Sequence, residues 1–421
     1  SSAASDVYKR QSTRSEAFLT DYQARDHQFY GELALNNRGC LLGLRVRADW
    51  RHGAYLPGRC IWIMAQYLSQ ILGGTYRMPA AHLYLRGIVT NTTPMAAYRG
   101  IGRLEANYIL ERLIDQAAHE LGLDAVEIRR MNLLRAEDLP WQTPGGALIT
   151  SGEFLANLDT ALAAAGWGDI NKRRNQAMDH GRLYGVGLAM YAENDGSTPT
   201  EFAEVAVSGE GRITAMVGTQ DFGMGHSTMY SQILSEKLGV NMEEIDVVFG
   251  DTDKVKRGAG SHGSRSARMG GTAAVMSADK VILQARVEAA EILETAVADI
   301  EFADGHFTVA GTDRTVTLYQ VAASIESSGK HLAEEADFNA GPEVISNGVH
   351  ICELTIEPSD GTIHLEDYCV VADVGTIVNP IIVHGQLHGG VTQGIGQALL
   401  EGVAYCLLYT SPSPRDLSTS R

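Results

Sequence analysis

Four glycine-rich segments carry the polar side chains that could bind a ligand: residues 97–103, 218–228, 258–271 and 385–397. We expect all four to be loops, the first two just before helices. Glycine lets a backbone approach a ligand closely, and amides at a helix start attract phosphate. Gln, Ser and Thr side chains add directed hydrogen bonds to a heterocycle. Each segment alone is more simply a turn or a helix end, but together they indicate a large ligand shared between domains.

Other ligand chemistries have weaker support. The sequence has no GxxxxGK[ST] motif, and Gly394-Ile395-Gly396 lacks the third glycine of the dinucleotide fingerprint. Asp251 and Asp253 could ligate a metal together with His226 and His262. We favour instead a turn in which aspartate caps backbone amides, because no HxH or HExxH spacing accompanies the pair.

Composition narrows the class of protein. The 421 residues carry a net charge of −17, which disfavours nucleic acid and anionic membranes as partners. No apolar run reaches the length of a membrane span. Five scattered cysteines without a CxxC pair disfavour a zinc site, an iron–sulfur cluster and a disulfide scaffold, and favour a reducing compartment. They are Cys40, Cys60, Cys352, Cys369 and Cys406.

Hairpins and amphipathic helices must position the four segments. Strand-like runs flank turns at 36–39, 208–211 and 357–361, which predicts three antiparallel hairpins. Apolar residues at helical spacing predict helices from Leu110 to Leu121 and from Ala274 to near Asp299. Asp124 is a predicted helix cap. Mixed hairpins and helices of this kind indicate an α+β protein.

We expect a domain boundary between Ala165 and Tyr184, where a basic segment, Lys172–Arg174, interrupts the pattern of apolar residues. We therefore expect domains at 12–170 and 180–405. Segments 1–11 and 406–421 are rich in Ser, Pro and Arg and look foreign to the protein, so they are excluded from fold reasoning.

Several short motifs resemble, in their order, the molybdenum-cofactor subunit of the xanthine dehydrogenase, aldehyde oxidoreductase and carbon monoxide dehydrogenase family. The resemblance runs from Arg14 to Tyr405. Its elements are YRGIGR at 98–103 with Glu105, ERLID at 111–115, RRMNL at 129–133, GMGH at 223–226, GDTD at 250–253, GSRS at 263–266, and the stretch 373–399. Each element is modest alone, whereas their joint order is specific.

The resemblance implies a molybdopterin, in its cytosine dinucleotide form, bound between two α+β domains, of which this chain has the end of the first and a truncated second. The pterin dithiolene would hold the molybdenum, so no side chain is expected to ligate the metal. The active-site loop would be Tyr98, Arg99 and Gly100. The implied cofactor-binding residues are Gln220, Phe222, Gly223, Met224, Gly225, His226, Gly263, Ser264, Arg265, Ser266, Asp373, Gln386, Gln393 and Gly394.

Three departures from the family pattern bear on function. Met224 stands where the family commonly has glutamine, and Leu104 replaces a usual proline. The family's catalytic glutamate would lie beyond Tyr405, so no glutamate here takes that role, and we expect the chain by itself to be inactive. Gly100 stands where true carbon monoxide dehydrogenases carry cysteine, which disfavours carbon monoxide as substrate.

Two functions follow from the resemblance. The first is a subunit that hydroxylates an aldehyde or an N-heteroaromatic compound, with water as the oxygen source. Electrons would pass to FAD-binding and [2Fe–2S] subunits, in a dimer of heterotrimers for the full-length protein. The second is a cofactor-binding or structural relative without catalysis, for which Met224 is the one hint. We expect the bacterial cytoplasm as its location, with the periplasm as the alternative.

Overall fold

A computed structural model describes residues 11–58, 60–195, 199–341, 344–403, 405–406 and 409–410. The chain forms two compact units. The first groups Ser1–Asn194, Val344–Val374 and Gly394–Arg421, and the second groups Asp195–Glu343 and Gly375–Gln393. The predicted domain bounds at 12–170 and 180–405 stay predictions. Most of the predicted foreign segments, 1–11 and 406–421, lies outside the described residues.

The first unit begins with a three-stranded sheet and its helices. Their bounds are α1 (Arg14–Thr20), β1 (His27–Leu35), β2 (Leu41–Gly53), α2 (Cys60–Gln70), β3 (Ala81–Val89), α3 (Arg103–Leu121) and α4 (Ala125–Asn132). β2 is central, antiparallel to β1 and parallel to β3. Its alternate residues Val46, Ala48 and Trp50 are fully buried, as expected of a strand with one face on the core.

The chain continues through β4 (Trp141–Gln142), β5 (Leu148–Ile149), α5 (Phe154–Ala164), α6 (Ile170–Asp179) and β6 (Leu183–Asn194). The basic segment Lys172–Arg174 lies within α6, so the predicted interruption of the helical pattern is wrong there. Arg173 explains why a helix tolerates it: its Nε lies 2.8 Å from an oxygen of buried Glu353, and it also donates to the carbonyls of Ala165 and Gly166.

The second unit holds two sheets and their helices. The bounds are β7 (Thr200–Ser208), β8 (Arg212–Val217), α7 (His226–Leu238), β9 (Ile245–Val248), α8 (Gly271–Ile292), β10 (Ile300–Ala303), β11 (His306–Val309), β12 (Thr315–Thr317), α9 (Leu318–Ser327) and β13 (Leu332–Asn339). The larger sheet has four strands in the order β13-β7-β8-β9, and the smaller has the order β10-β11-β12. α8 ends earlier than the predicted Asp299, because Glu294 takes a left-handed conformation with φ 48°.

The remaining elements are β14 (Ile345–Ile356), β15 (Ile363–Asp373), α10 (Pro380–Leu399), β16 (Tyr405–Cys406) and β17 (Tyr409–Thr410). β14 pairs antiparallel with both β6 and β15, which completes the second sheet of the first unit. The three predicted hairpins and the α+β class are confirmed. Among the described residues, no helix combines the length and apolar character needed to cross a membrane.

The predicted loop at 385–397 is wrong, because these residues lie inside α10. The helix begins after Asn379, whose side-chain oxygen accepts a hydrogen bond from the amide of Ile382 at 3.2 Å. Val383, Leu387, Val391 and Ile395 recur at helical spacing, and proline occurs only at the first position, where a helix tolerates it. An interior glycine costs a helix only about 1 kcal/mol, so five glycines did not break this one.

Candidate functional site

The loop predicted to face the metal lies between β3 and α3 in the first unit. Tyr98 and Arg99 are exposed, and the loop closes with bonds from the amides of Ile101 and Arg103 to the carbonyls of Tyr98 and Gly100 at 2.9 and 3.0 Å. Gly100 and Gly102 have φ 86° and 77°. These positive angles make a tight turn that presents the two side chains outward.

The start of α3 fixes where this loop ends. A Cβ on Gly102 would lie 2.7 Å from the carbonyl oxygen of Met64, so α2 packs directly against the turn. Arg103 is buried, with its guanidinium 3.5 Å from the centre of the Tyr67 ring and its Nε 2.8 Å from Asn194 Oδ1. The exposed loop is therefore followed directly by buried residues that fix its end.

The second predicted loop leads into α7 and is organised by Asp221. Its carboxylate accepts hydrogen bonds from the amides of Gly223, Met224 and Ser227 at 2.8, 2.9 and 3.2 Å. Burial raises the pKa of Asp221, but these three bonds outweigh it and hold the pKa below its usual 3.8. Asp221 thus binds two loop amides and one amide in the first turn of α7, and the expected attraction of phosphate to this helix start stays a prediction.

Ser261 brings the second and third predicted loops together. Its hydroxyl accepts from the amide of Gln220 at 2.9 Å and donates to the Gln220 carbonyl at 2.5 Å. Ser266 donates to Ser261 at 2.9 Å, and His226 Nδ1 lies 2.8 Å from the Gln220 carbonyl. Gln220 is thereby held through its backbone, while its side chain stays exposed beside Gly250 and Gly260.

Arg265, predicted to bind cofactor, is fully buried. Its guanidinium pairs with buried Glu201 and donates to the carbonyls of Thr200 and Gly260 at 2.6 and 3.2 Å. In this arrangement Arg265 stabilises the third loop through its hydrogen bond to the Gly260 carbonyl. Gly263 and Ser264 both have positive φ, at 60° and 56°, so the chain turns sharply at the loop's outer end. The third segment is therefore a loop as far as Arg265, after which Ser266–Gly270 form a π-helical turn and Gly271 begins α8.

The Gly250–Asp253 segment forms the expected turn. Asp251 accepts from the amide of Asp253 at 3.1 Å, and the amides of Lys254 and Val255 bond to its carbonyl. Among the described residues, no group of three His, Cys, Asp or Glu side chains is arranged to hold a metal ion.

The other predicted site residues are distributed over both units. Asp373 ends β15 in the first unit, where Asn347 donates to its carboxylate at 3.3 Å. Gln386 and Gln393 lie on the part of α10 that belongs to the second unit, and Gly394 is grouped with the first. Their roles in cofactor binding stay predictions.

Two motifs of the family resemblance have structural roles. Glu111 and Arg129 form a buried ion pair at 2.8 Å, and Tyr76 donates to the same carboxylate at 2.6 Å. Asn132 accepts from the amide of Leu41 at 2.9 Å and donates to the carbonyl of Gly39, which holds the first hairpin turn. These residues therefore stabilise the first unit, which carries the Tyr98–Gly100 loop.

Sequence reasoning missed Asp221 and Ser261. Asp221 carries a usable signal, because aspartate shortly before a helix commonly binds its first amides. Ser261 has no local signal, since the two bonds that join it to Gln220 span 41 residues of the chain.

The donor set suits the heterocyclic part of a molybdopterin. The side-chain amide of Gln220 belongs to an exposed residue, and Phe222 is 68% exposed. Phe222 precedes Gly223, where a Cβ would meet nothing within 4 Å. An amide, an open aromatic face and a bare glycine backbone together match a flat, hydrogen-bonding ring.

Comparison with known proteins identifies the family of the chain. Two models described as molybdopterin cofactor-binding domains match residues 4–133 and 160–413. The chain therefore belongs to the molybdopterin cofactor-binding family, in the group that contains the molybdenum subunits of xanthine dehydrogenase and the large chains of carbon monoxide dehydrogenase.

The relatives carry oxidoreductase names. The chain is 34% identical over 405 residues to the 6-hydroxypseudooxynicotine dehydrogenase complex subunit gamma of Paenarthrobacter nicotinovorans, covering 93% of this chain and 51% of the relative. It is 32% identical to the carbon monoxide dehydrogenase large chain of Hydrogenophaga pseudoflava, covering 92% and 51%. Quinoline 2-oxidoreductase from Pseudomonas putida 86 matches with a TM-score of 0.88 at 29% identity, covering 94% and 53%. The chain thus spans about half the length of these relatives.

Proposed function

We propose that this chain is the molybdopterin-binding part of an oxidoreductase subunit that hydroxylates an N-heteroaromatic compound or an aldehyde, with water as the oxygen source. The observation that carries the proposal is the joining of two glycine loops by Ser261, in a region where the side chains of Gln220 and Phe222 are both exposed. The family match supplies the identity of the ligand.

In this proposal the two units have separate tasks. Gln220, Phe222 and Gly223 hold the pterin, with Asp221 fixing the turn that carries them. The exposed Tyr98 and Arg99 bound the place where a substrate lies. The bound molybdenum centre supplies the oxidation chemistry, and the protein supplies binding and orientation.

The names of two relatives support an N-heteroaromatic substrate. Nicotine 6-hydroxylase large subunit of Paenarthrobacter nicotinovorans and quinoline 2-oxidoreductase are both named for N-heterocycles. Gly100 contributes no side chain to the loop, and a Cβ at this position would lie 3.4 Å from the Leu104 Cβ. We therefore propose a flat organic substrate and disfavour carbon monoxide. FAD-binding and [2Fe–2S] partner subunits, and the cytosine dinucleotide form of the cofactor, are further parts of the proposal.

A non-catalytic relative is the weaker alternative, since the relatives are named as dehydrogenases, hydroxylases and oxidoreductases. Its one hint, Met224, has a local use: the sulfur accepts a hydrogen bond from the amide of Phe222 at 3.3 Å.

Cofactor binding tests the proposal directly. The chain is expressed in a bacterial host that makes molybdopterin cytosine dinucleotide, and its molybdenum and pterin contents are measured after purification. We expect both in equal amounts, reduced at least fivefold in Gly223→Val and unchanged in Gln116→Ala, a control at an exposed position of α3. Equal contents in Gly223→Val and the unaltered chain would count against the site, and absence of pterin from every preparation would count against the function.

Turnover tests the reaction class. The full-length subunit that contains this chain, assembled with its partner subunits, is assayed with quinoline, nicotine and benzaldehyde and an artificial electron acceptor, and oxygen from labelled water is sought in the product. Incorporation of label into a heterocycle or aldehyde supports hydroxylation. An assembled, molybdenum-loaded enzyme that turns over none of the three would refute the proposed substrate class.

A further inference from the structure

A short segment, Gln23–His27, lies along the whole Tyr98–Gly100 loop. Before the loop, the amide of Gln23 donates to the carbonyl of Pro94 at 3.0 Å, and the amide of Ala96 donates to the carbonyl of Gln23 at 2.9 Å. This short parallel bridge fixes the backbone that enters the loop. The segment is thus tied to the loop through main-chain atoms as well as side chains.

Arg25 is the member of the segment that reaches the loop itself. Its Nη2 donates to the carbonyl of Arg99, and its guanidinium lies 4.6 Å from the centre of the Tyr98 ring. Its Nη1 donates to Gln397 Oε1 at 2.5 Å. One side chain therefore contacts two consecutive loop residues and α10, and a planar guanidinium can do this because its donors point in fixed directions.

The backbone of Arg25 is held in an uncommon conformation. Its φ is 67°, in the left-handed region that non-glycine residues other than Asn and Asp rarely adopt. Such a conformation persists only where surrounding contacts enforce it, and it tends to occur at functional sites. Here it turns the Arg25 side chain toward the loop while the bridge at Gln23 is kept.

The same segment also holds the exit of the loop. His27 Nε2 lies 3.4 Å from Oε1 of Glu105, in the first turn of α3, and both side chains are almost fully buried. His27 also stacks on Trp50, with ring centres 4.8 Å apart. Contacts of Gln23, Arg25 and His27 thus fix the entry, the middle and the exit of one loop.

We propose that Arg25 is a positioning residue that sets the conformation of Tyr98, Arg99 and Gly100 at the substrate side of the site. The inference rests on the proposed function for the role of that loop. Its physical content is separate: without the guanidinium, the carbonyl of Arg99 loses a charge-assisted donor and the Tyr98 ring loses its cation, so the loop samples other conformations.

Hydrogen exchange in the full 421-residue chain tests the inference without any cofactor. The probes are the amides of Ile101 and Arg103, which close the loop, with Val46 in buried β2 as the reference. In Arg25→Gln we expect both loop amides to exchange at least tenfold faster and the Val46 amide to be unchanged. Arg47→Gln, which removes an exposed arginine of β2, is the matched control and should alter none of the three.

Wild-type exchange of both loop amides in Arg25→Gln would overturn the inference. If the Val46 amide also exchanges faster, the variant has lost its fold, and Arg25→Lys decides instead. Lysine keeps the charge near Tyr98 but cannot bind Arg99 and Gln397 together, so loop exchange should rise two- to fivefold with Val46 unchanged. Full protection of the loop in Arg25→Lys would equally overturn the inference.

A second readout separates this inference from the proposed function. In the assembled enzyme that contains the full-length subunit, Arg25→Gln should keep its molybdenum and pterin content while kcat/KM falls at least tenfold, and Arg25→Lys should lie between it and the unaltered enzyme. Unchanged kcat/KM refutes the positioning role even where the cofactor is bound. Loss of pterin from the unaltered chain refutes the proposed function and leaves the exchange test of Arg25 intact.

Discussion

Replacing Asp221 with alanine should loosen the start of α7 and the loop before it. The carboxylate accepts bonds from three amides, those of Gly223, Met224 and Ser227, at 2.8 to 3.2 Å. Hydrogen bonds to a charged group contribute about 1.5–3 kcal/mol each in buried settings. Gly223 and Ser227 are exposed and water can replace the carboxylate there, so the range measured for helix-cap substitutions, about 0.5–2 kcal/mol, is the better guide.

We therefore expect about 2 kcal/mol at the upper end of that range, which corresponds to roughly thirtyfold faster exchange of amides in the first turn of α7. The Met229 amide, bonded to the Gly225 carbonyl at 3.1 Å, is a suitable probe. The pKa of Asp221 lies below 3.8, so the stabilisation is present above that pH and is lost as pH falls through the folded pKa. The ratio of exchange rates should hence be constant between pH 5 and 8.

Two further variants make this prediction refutable. Asp221→Asn keeps an acceptor oxygen but no charge, so its effect should be smaller, about five- to tenfold. Asp246→Ala removes an exposed carboxylate that pairs with Arg212 at 2.5 Å and should change Met229 exchange by less than twofold. An Asp221→Ala chain whose Met229 amide exchanges within threefold of the unaltered rate would show that the three bonds do not hold the loop.

Three other predictions concern the first unit. Gly102→Ala should lower its melting temperature and its stability by about 2 kcal/mol, because φ is 77° and a Cβ would lie 2.7 Å from the carbonyl of Met64; a melt equal to the unaltered chain's would contradict the packing. Glu111→Gln should cost about 1.5–3 kcal/mol in urea unfolding, because buried Arg129 loses one charged partner while Asp115 still pairs with it at 2.7 Å, and a loss under about 0.5 kcal/mol would refute this. Burial lowers the pKa of His350 to about 4, so the stability it contributes above pH 6.5 is lost between pH 6.5 and 4. From pH 7 to 5 the loss should be about 2 kcal/mol, and His350→Gln should unfold with a correspondingly smaller pH slope.

Local signals predicted much of the fold. Turn residues between alternating runs gave the three hairpins, and Asp124 caps α4 by accepting from the amides of Val126 and Glu127. The error at α10 came from weighting glycines above the apolar spacing of Val383 to Ile395. Local propensity is overridden there by the regular apolar pattern.

The candidate site was less predictable, because its geometry depends on distant residues. Ser261 contacts Gln220 across 41 residues, and Arg25 contacts Arg99 across 74. Neither pairing leaves a periodic trace in the sequence. Arg265 carried a motif signal for ligand binding, yet only the structure shows Glu201 buried against it.

The pairing of β6 with β14 has a consequence for how the protein folds during synthesis. Asn194 and Ile345 are partners in that ladder. The chain between them, roughly 150 residues, therefore leaves the sheet at the end of β6 and returns to it at the start of β14. Closing a flexible loop of that length costs about 4 kcal/mol in chain entropy. If Asp195–Glu343, the part of the second unit that precedes β14, folds first, a compact body replaces that flexible loop and removes most of the cost. During synthesis all of these residues are made before β14, so they can fold before the strand that pairs with β6 is complete.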